Sequence, residues 1–285
     1  MSHIIHTFLV VSILGGVSAF LLGVISKATY IPVDPKITAV RDALPGANCG
    51  ACGYAGCDAC AAAIAKGEAP ITACKVGGEK SATAIAEIMG GDAGETQRMV
   101  SCVLCQGDCD HTTQNYSYTG VEDCRVMSYN YGGSKSCAYG CLGCGSCKNV
   151  CEYGAITVEN GIASINEEKC VACMKCIGVC PKHLIQLIPY HAPAVVRCSN
   201  PEFGKGVKED CSIGCIGCSL CTKMAPEEFT MEGKLSRPTY HKGYDLEKAK
   251  VAAEKCPAKC ITLNPYPDVN AVIPEEEAAE EPATV

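Results

Sequence analysis

Residues 170–181 read Cys-Val-Ala-Cys-Met-Lys-Cys-Ile-Gly-Val-Cys-Pro, a run of four closely spaced cysteines that ends on a proline. Iron–sulfur clusters take soft thiolate ligands, and a Cys-x2-Cys-x2-Cys loop wraps three of them around one face of a cluster while a distant fourth closes it. A zinc ribbon is the alternative for paired Cys-x2-Cys motifs, but zinc needs four ligands and has no use for the third closely spaced cysteine. The run therefore predicts iron–sulfur ligation.

A second run of the same kind precedes it, with Glu152 at the position where a proline is usual. In two-cluster ferredoxins the fourth cysteine of each run ligates the other cluster. One predicted ligand set is therefore Cys141, Cys144, Cys147 and Cys180. The other is Cys170, Cys173, Cys176 and Cys151. We predict a two-cluster ferredoxin-like domain over residues 137–192, of the α+β class, with short β runs at 155–158 and 184–188 beside the cysteine loops.

The spacing from Cys137 to Cys147 recurs from Cys211 to Cys221, with Ala225 at the place of the fifth cysteine of the first copy. Cys102 and Cys198 lie upstream of the two copies in similar surroundings. A Cys-Pro pair at Cys256 follows later, as in single-cluster bacterial ferredoxins. A single-cluster module is therefore predicted over residues 193–266, with the ligands Cys215, Cys218, Cys221 and Cys256 and with Cys211 as an alternative loop ligand.

Towards the amino terminus lies a different pattern, Cys-x2-Cys-x4-Cys-x16-Cys, formed by Cys49, Cys52, Cys57 and Cys74. Glycines between these cysteines let the backbone turn tightly around a bulky cluster. Ala-rich helices are expected at 55–66, ended by Gly67, and at 81–89, ended by Gly90, after a linker at 30–44. Residues 28–92 are thus predicted to form a small all-helical 4Fe-4S domain, in which Cys60 is a buried spectator.

Nine cysteines lie outside these four ligand sets: 60, 102, 105, 109, 124, 137, 198, 211 and 260. Three of them, Cys102, Cys105 and Cys109, fall within eight residues. Together with Cys124 or Cys137 they predict a further cluster in the connecting region 93–136. Cys198, Cys211 and Cys260 have no such loop and are interpreted as spectators or alternates. The expected content is at least four 4Fe-4S clusters, and five or six if the surplus thiols bind more.

The segment Ile4 to Ile25 carries no formal charge and is long enough to cross a bilayer as a helix. Residues 1–27 are predicted to be a single transmembrane anchor, in preference to a cleaved signal peptide, which would need a basic start and a small-residue cleavage site. Lys27, Lys36 and Arg41 follow the segment, which places the bulk of the chain on the cytoplasmic side of the inner membrane. At the other end, residues 267–285 are glutamate-rich and predicted to form a disordered tail.

Composition limits the remaining functions. The chain has 285 residues and 25 cysteines, an odd number that does not suit fully paired disulfides, and it has no Trp and only 4 Phe, which indicates small apolar cores. A net charge of -7 makes nucleic-acid binding improbable. No strand-linked G-x-G-x-x-G fingerprint and no catalytic constellation occurs, so we expect neither a dinucleotide site nor a catalytic residue.

The chain is predicted to contain one amino-terminal membrane helix, then the pattern Cys-x2-Cys-Gly-x3-Cys-x16-Cys, then ferredoxin modules. This order resembles the RnfB family of Rnf complexes, and the resemblance extends from the anchor to about Leu263. The resemblance implies one component of an ion-translocating ferredoxin:NAD oxidoreductase. In that family the protein accepts electrons from soluble reduced ferredoxin and passes them to membrane partner subunits toward NAD, coupled to sodium or proton translocation. The third module and the extra cysteines depart from the shorter relatives.

Three other functions stay open on the residues alone. They are a membrane-tethered polyferredoxin of another reductase or a hydrogenase, an iron–sulfur redox sensor or cluster carrier, and a structural zinc protein. Lys148, Lys175 and Lys182 lie in or beside the cluster loops and are hypothesised to form a cationic docking spot for an acidic ferredoxin.

Overall fold

The computed structural model describes residues 2–28, 34–92 and 97–269. The acidic run at 275–281 lies outside the described residues. The first helix, α1, covers Ser2–Ala28, and large apolar side chains along it, such as Phe20 and Leu22, are exposed. Within the part of the chain that the structure describes, no helix has the length and apolar character that a membrane crossing needs. The transmembrane anchor therefore stays a prediction.

Three helices form the small amino-terminal unit: α2 (Pro35–Ala43), α3 (Cys57–Lys66) and α4 (Gly78–Met89). The residues predicted to be a linker thus contain α2. Asp34 caps this helix by accepting a hydrogen bond from the Lys36 N–H, and Pro35 suits the first turn because its missing N–H has no partner there anyway. The helices pack on a shared apolar core that includes Val40, Ile64 and Ile85.

A first ferredoxin-like module follows. Strand β1 (Met99–Val103) pairs antiparallel with β4 (Ile185–Pro189), and β2 (Ile156–Glu159) pairs with β3 (Ile162–Ile165). Two short helices, α6 (Ser146–Asn149) and α7 (Lys175–Val179), lie between the strands. Strand β1 comes from the predicted connecting region, which also contains helix α5 (Cys124–Tyr129). The two-stranded sheets occur on either side of the cysteine loops, as the β runs at 155–158 and 184–188 indicated.

The second ferredoxin-like module repeats this order. Strand β5 (Ala194–Val196) pairs with β8 (Ile261–Leu263), and β6 (Phe229–Glu232) pairs with β7 (Leu235–Pro238). The helices are α8 (Lys205–Asp210), α9 (Leu220–Met224) and α10 (Leu246–Lys255). The fold is therefore α+β with two ferredoxin-like modules after a helical unit, as predicted.

The two modules contact each other through the loops that follow β1 and β5. The Ser199 hydroxyl donates to the Leu104 carbonyl at 3.0 Å, and the Gln106 side-chain amide donates to the Lys259 carbonyl at 2.9 Å. Thr112 and Cys211 form an isolated antiparallel bridge between the connecting region and the second module. These contacts hold the cysteine loops of the two modules next to each other.

Candidate metal centres

The helical unit has a cavity of about 330 Å³ whose lining includes all four predicted ligands and one further cysteine, namely Cys49, Cys52, Cys57, Cys74 and Cys60. Asn48 lies in the left-handed region at φ 47°, and its side-chain oxygen accepts the Cys57 N–H at 2.8 Å, which starts α3 at the cavity wall. The Gly77 N–H donates to the Cys74 Sγ at 3.4 Å. Burial, and then the neighbouring Cys52 thiol, raise the pKa of Cys60 to about 12.

A cavity of about 370 Å³ in the first ferredoxin-like module is lined by Cys141, Cys147, Cys180 and Cys124. The Cys144 thiol lies at the same place: burial raises its pKa to about 12, and Cys124 and Cys141 add to that shift. All four predicted ligands of this site are therefore close together. Cys124, at the first turn of α5, is a fifth thiol that the motif spacing did not place here.

The neighbouring cavity, of about 320 Å³, is lined by the other predicted set, Cys151, Cys170, Cys173 and Cys176. The Ser101 N–H of β1 donates to the Cys170 Sγ at 3.3 Å. Cys151 thus leaves its own run for the cavity of the second run, and Cys180 leaves the second run for the cavity of the first. The crossed arrangement that the spacing predicts is present in the positions of these side chains.

A cavity of about 370 Å³ in the second ferredoxin-like module has a lining that includes the predicted ligands Cys215, Cys218, Cys221 and Cys256 together with Cys260. The Cys256 and Cys260 sulfurs are 3.7 Å apart. A hydrogen bond from the Cys260 thiol lowers the pKa of Cys215 to about 6 and that of Cys256 to about 5, while the pKa of Cys260 itself is raised. Cys211, the predicted alternate, does not line this cavity.

The group predicted in the connecting region is not assembled. Cys102 is buried in the core beside Val100, Cys109 is exposed beside Gln114, and Cys124 lines the cavity of Cys141. The strand ends also correct the predicted repeat. Cys105, two residues after β1, corresponds to Cys198, two residues after β5, whereas Cys102 lies inside β1.

The chemistry of these cavities fits iron–sulfur clusters. Each gathers at least four thiols, and backbone N–H groups at the loops donate to sulfur, which is one of the protein's means of tuning a cluster. Among the residues that the structure describes, no group of three or more His, Cys, Asp or Glu converges on the position of one metal ion. The thiols surround the cavities instead.

Glycines allow the close turns of these loops. Gly143 lies at φ +76°, and a Cβ there would be 2.5 Å from the Gly161 carbonyl oxygen. Gly217, the equivalent residue of the second module, lies at φ +69°, and a Cβ there would be 2.8 Å from the Lys234 carbonyl oxygen. Only glycine meets both requirements, so the same turn carries the cysteine loop in each module.

Known protein families match the chain at the same places. An Fe–S cluster family, FeS, matches residues 44–76, a 4Fe-4S dicluster domain matches 140–184, and a 4Fe-4S single cluster domain of Ferredoxin I matches 212–263. The chain is 40% identical over 243 residues, 85% of its length and 72% of the relative's, to the B subunit of the Na⁺-translocating ferredoxin:NAD⁺ oxidoreductase complex of Acetobacterium woodii. It is 36% identical over 266 residues, 92% of its length and 99% of the relative's, to the B subunit of the ion-translocating oxidoreductase complex of Methanosarcina acetivorans.

The chain belongs to this RnfB family. The resemblance seen in the sequence is therefore confirmed. A relative from Clostridium ljungdahlii, named as the B subunit of a proton-translocating ferredoxin:NAD⁺ oxidoreductase complex, is 35% identical over 217 residues, 75% of this chain and 76% of that one. The relative from Rhodobacter capsulatus is 42% identical but over 100 residues, 33% of this chain. The long form with a second ferredoxin-like module thus has long relatives in the family.

Proposed function

We propose that this chain is the iron–sulfur electron-transfer subunit of a membrane redox-driven ion pump, a ferredoxin:NAD oxidoreductase. It takes electrons from reduced ferredoxin and delivers them to membrane partner subunits. The observation that carries the proposal is the set of cysteine-lined cavities in a chain that belongs to the RnfB family. Relatives are named for translocation of sodium in one case and of protons in another, and this chain's coupling ion is one of these two.

The protein's own contribution is to hold the redox groups, bury them and set their surroundings. When bound, 4Fe-4S clusters supply one-electron redox chemistry. We assign four of them to the four ligand sets predicted from the sequence, and the support is that the residues of each set lie in or beside one cysteine-lined cavity. Backbone N–H groups donate to Cys74 in the helical unit and to Cys170 in the first module, and such hydrogen bonds would hold the thiols and tune a bound cluster.

The cavities of the helical unit and of the first ferredoxin-like module lie next to one another. Crossing of Cys151 and Cys180 holds the two cavities of the first ferredoxin-like module side by side. Cys49 of the helical unit lies near that module: burial raises the pKa of Cys173, and the Cys151 and Cys49 thiols add to the shift. The same Cys49 contributes to the raised pKa of Tyr153, whose first cause is burial. The helical unit therefore adjoins the first module at a cysteine-lined cavity.

This placement suggests a direction. The helical unit at 28–92 follows α1 in the chain, and we propose that α1 is the membrane anchor. Its uncharged stretch from Ile4 to Ile25, the exposed apolar side chains along it and the cations that follow it support a single crossing with the bulk of the chain in the cytoplasm. Gly15, Ala19 and Gly23 lie on one face of α1, where a partner helix can approach closely. Electrons then enter at the ferredoxin-like modules and leave through the helical unit.

The predicted lysine docking spot has definite partners. The Lys175 ammonium lies 2.5 Å from a Glu152 carboxylate oxygen, and the Lys182 ammonium donates to the Ala138 carbonyl at 2.7 Å. Burial lowers the pKa of Lys182. Both lysines can still attract an acidic ferredoxin, but Lys175 is partly neutralised by its own carboxylate. We propose the exposed Lys148 and the half-buried Lys175 as the members of this spot.

The test uses the full chain in anaerobically prepared membranes that also contain its partner subunits. A Cys49→Ser/Cys74→Ser variant should still be reduced by ferredoxin, because the ferredoxin-like modules are intact, but NAD reduction should fall to background. Cys109→Ser, at an exposed thiol outside the four cavities, is the matched control and should keep both steps. If the double variant reduces NAD at the control's rate, the helical unit is not on the electron path and the proposal is wrong.

A Lys175→Glu variant separates the donor hypothesis from the rest. Replacing a docking cation should slow association with ferredoxin and weaken its dependence on ionic strength. The observed rate constant for ferredoxin oxidation is measured at low and high salt. An unchanged salt dependence would remove Lys175 from the docking surface and leave the cluster assignments untouched.

A further inference from the structure

A fifth cavity lies where the two ferredoxin-like modules meet. It has a volume of about 360 Å³, similar to the other four, and four cysteines line it: Cys105, Cys137, Cys198 and Cys211. All four are buried, and all lie outside the stretches at 140–184 and 212–263 that match ferredoxin families. None belongs to the four ligand sets assigned above. The cavity is therefore a separate gathering of thiols.

The four cysteines form two equivalent pairs, one from each module. Cys105 and Cys198 each lie two residues after the first strand of their module, β1 and β5. Cys137 and Cys211 each lie four residues before the first cysteine of the loop that follows, Cys141 or Cys215. The internal repeat thus places two thiols from each copy around one centre, in an approximately two-fold arrangement.

The hydrogen bonds of the cavity obey the same two-fold relation. The Cys141 N–H lies 3.5 Å from the Cys105 Sγ, and the backbone of Cys215 hydrogen-bonds to the Cys198 thiol in the same way. Two residues beyond Cys198, the Asn200 amide nitrogen is 3.8 Å from the Cys137 Sγ. The backbone contact to the thiol after the first strand thus occurs in both halves, and the Asn200 contact occurs on one side alone.

The equivalent position in the first module is Gly107, two residues beyond Cys105. A Cβ there would lie 3.2 Å from the Cys211 Sγ and 3.0 Å from a Thr112 methyl carbon. The backbone at Gly107 therefore passes close to the Cys211 thiol, with little room for a side chain between them. A side chain at residue 107 would narrow the space between the four sulfurs.

A buried cation accompanies these thiols. Lys135 is only 5% exposed, and its ammonium donates to the carbonyls of Gly107 at 2.7 Å and Gly161 at 2.8 Å. Gly107 lines the cavity, so Lys135 holds the backbone there beside the Cys211 thiol.

We propose that Cys105, Cys137, Cys198 and Cys211 hold a fifth 4Fe-4S cluster between the two ferredoxin-like modules. The number and softness of the donors, the size of the cavity and the N–H donors to sulfur match the four sites assigned above. Through Cys141 and Cys215 this site is hydrogen-bonded to a predicted ligand of the site on either side. It therefore joins the cavity of the second module to those of the first, and the proposal does not depend on which protein donates electrons.

The test is iron, sulfide and zinc quantification on the anaerobically purified full chain, with electron paramagnetic resonance of the reduced protein. Five clusters predict about twenty irons per chain, and Cys105→Ser/Cys198→Ser should lower this to about sixteen. The matched control is Cys102→Ser/Cys109→Ser, which removes a buried and an exposed thiol outside the cavities and should keep about twenty. A single Cys211→Ser variant should reproduce the loss if the double variant does not fold.

Three results would overturn the fifth site. One is a wild-type content of about sixteen irons that the double variant does not change. Another is one zinc per wild-type chain that the double variant loses. The third is an equal loss of iron from both double variants. A wild-type content of about sixteen irons overturns the fifth site even if no variant folds. A wild-type chain without iron would instead refute the proposed function as a whole, so the two failures are distinguishable.

Discussion

The two ferredoxin-like modules have the same order of strands and helices, yet the first has two cysteine-lined cavities of its own and the second has one. The difference lies at the last helix of each module, α7 in the first and α10 in the second. In the first, α7 is five residues long and continues from a cysteine loop. In the second, α10 is ten residues long and buries Ala249 and Ala252 against the core. The same fold therefore accommodates either a second cofactor site or an ordinary amphipathic helix.

The cores of both modules combine apolar side chains with cysteines. The buried cluster beneath α10 contains Phe229, Leu235 and Tyr244 together with cysteines such as Cys215 and Cys221. The cluster around α7 contains apolar side chains such as Leu184 together with cysteines such as Cys147 and Cys176. Because two proposed cluster sites lie in the first module and one in the second, we infer that the first module depends more on its bound clusters for stability.

The largest expected effect concerns the crossed ligands of the first module. Cys141→Ser/Cys180→Ser should cost about four irons, since both thiols belong to one site, whereas Cys173→Ser/Cys180→Ser should cost about eight. Iron content per chain, measured beside the single variants, gives the answer. The reverse pattern, with the larger loss in the first pair, would mean that Cys180 closes its own run and that the crossing is wrong.

The second module gives a comparison within one cavity. Cys256→Ser should remove about four irons, while Cys260→Ser should leave the content unchanged, because a Cys-Pro closes single-cluster ferredoxin sites. Both thiols line the cavity and their sulfurs are 3.7 Å apart, so the two variants are matched in position. If only Cys260→Ser loses iron, Cys260 and not Cys256 is the fourth ligand of this site.

The apolar core of the second module should show a large packing effect. Phe229 is 1% exposed, and Phe229→Ala should lower the free energy of unfolding by about 3–5 kcal/mol through lost burial and a residual cavity. Leu220→Ala, at a side chain that is 40% exposed, should change it by less than about 0.5 kcal/mol. Anaerobic urea denaturation followed by circular dichroism measures both. A similar shift in the two variants would contradict the assignment of Phe229 to the centre of the core.

The smallest effect has the opposite sign and lies in α7. A Cβ at Gly178 meets no atom within 4 Å, so Gly178→Ala should stabilise the first module by about 0.5–1 kcal/mol, because the unfolded chain loses more freedom than the folded one. Gly143→Ala is the control in the same module and should destabilise it, since its φ is +76°. The measurement is the thermal unfolding midpoint. A lower unfolding midpoint in Gly178→Ala would show that α7 needs the backbone freedom of glycine next to its cysteines.

The sequence determined the ligand loops, because a Cys-x2-Cys-x2-Cys segment brings three thiols to one cluster face through local backbone geometry alone. It also determined the family, the helical unit and the presence of two ferredoxin-like modules, each of which rests on residues close together in the chain. The sequence correctly predicted that one cavity gathers Cys170, Cys173 and Cys176, and that α3 ends at Gly67.

Only the tertiary structure decided which distant thiols share a cavity. Cys105 and Cys198 meet because β1 and β5 end at the junction of the modules, and that placement depends on the pairing of each strand with one much later in the chain. The sequence spacing instead predicts that Cys105 groups with Cys102 and Cys109, its neighbours in the chain. Alternate residues along a strand point to opposite faces. Cys102 lies within β1, whereas Cys105 lies in the loop that follows it and turns away. Local spacing does not show which strands pair. The four cysteines proposed to hold the fifth cluster could therefore be grouped only from the tertiary structure.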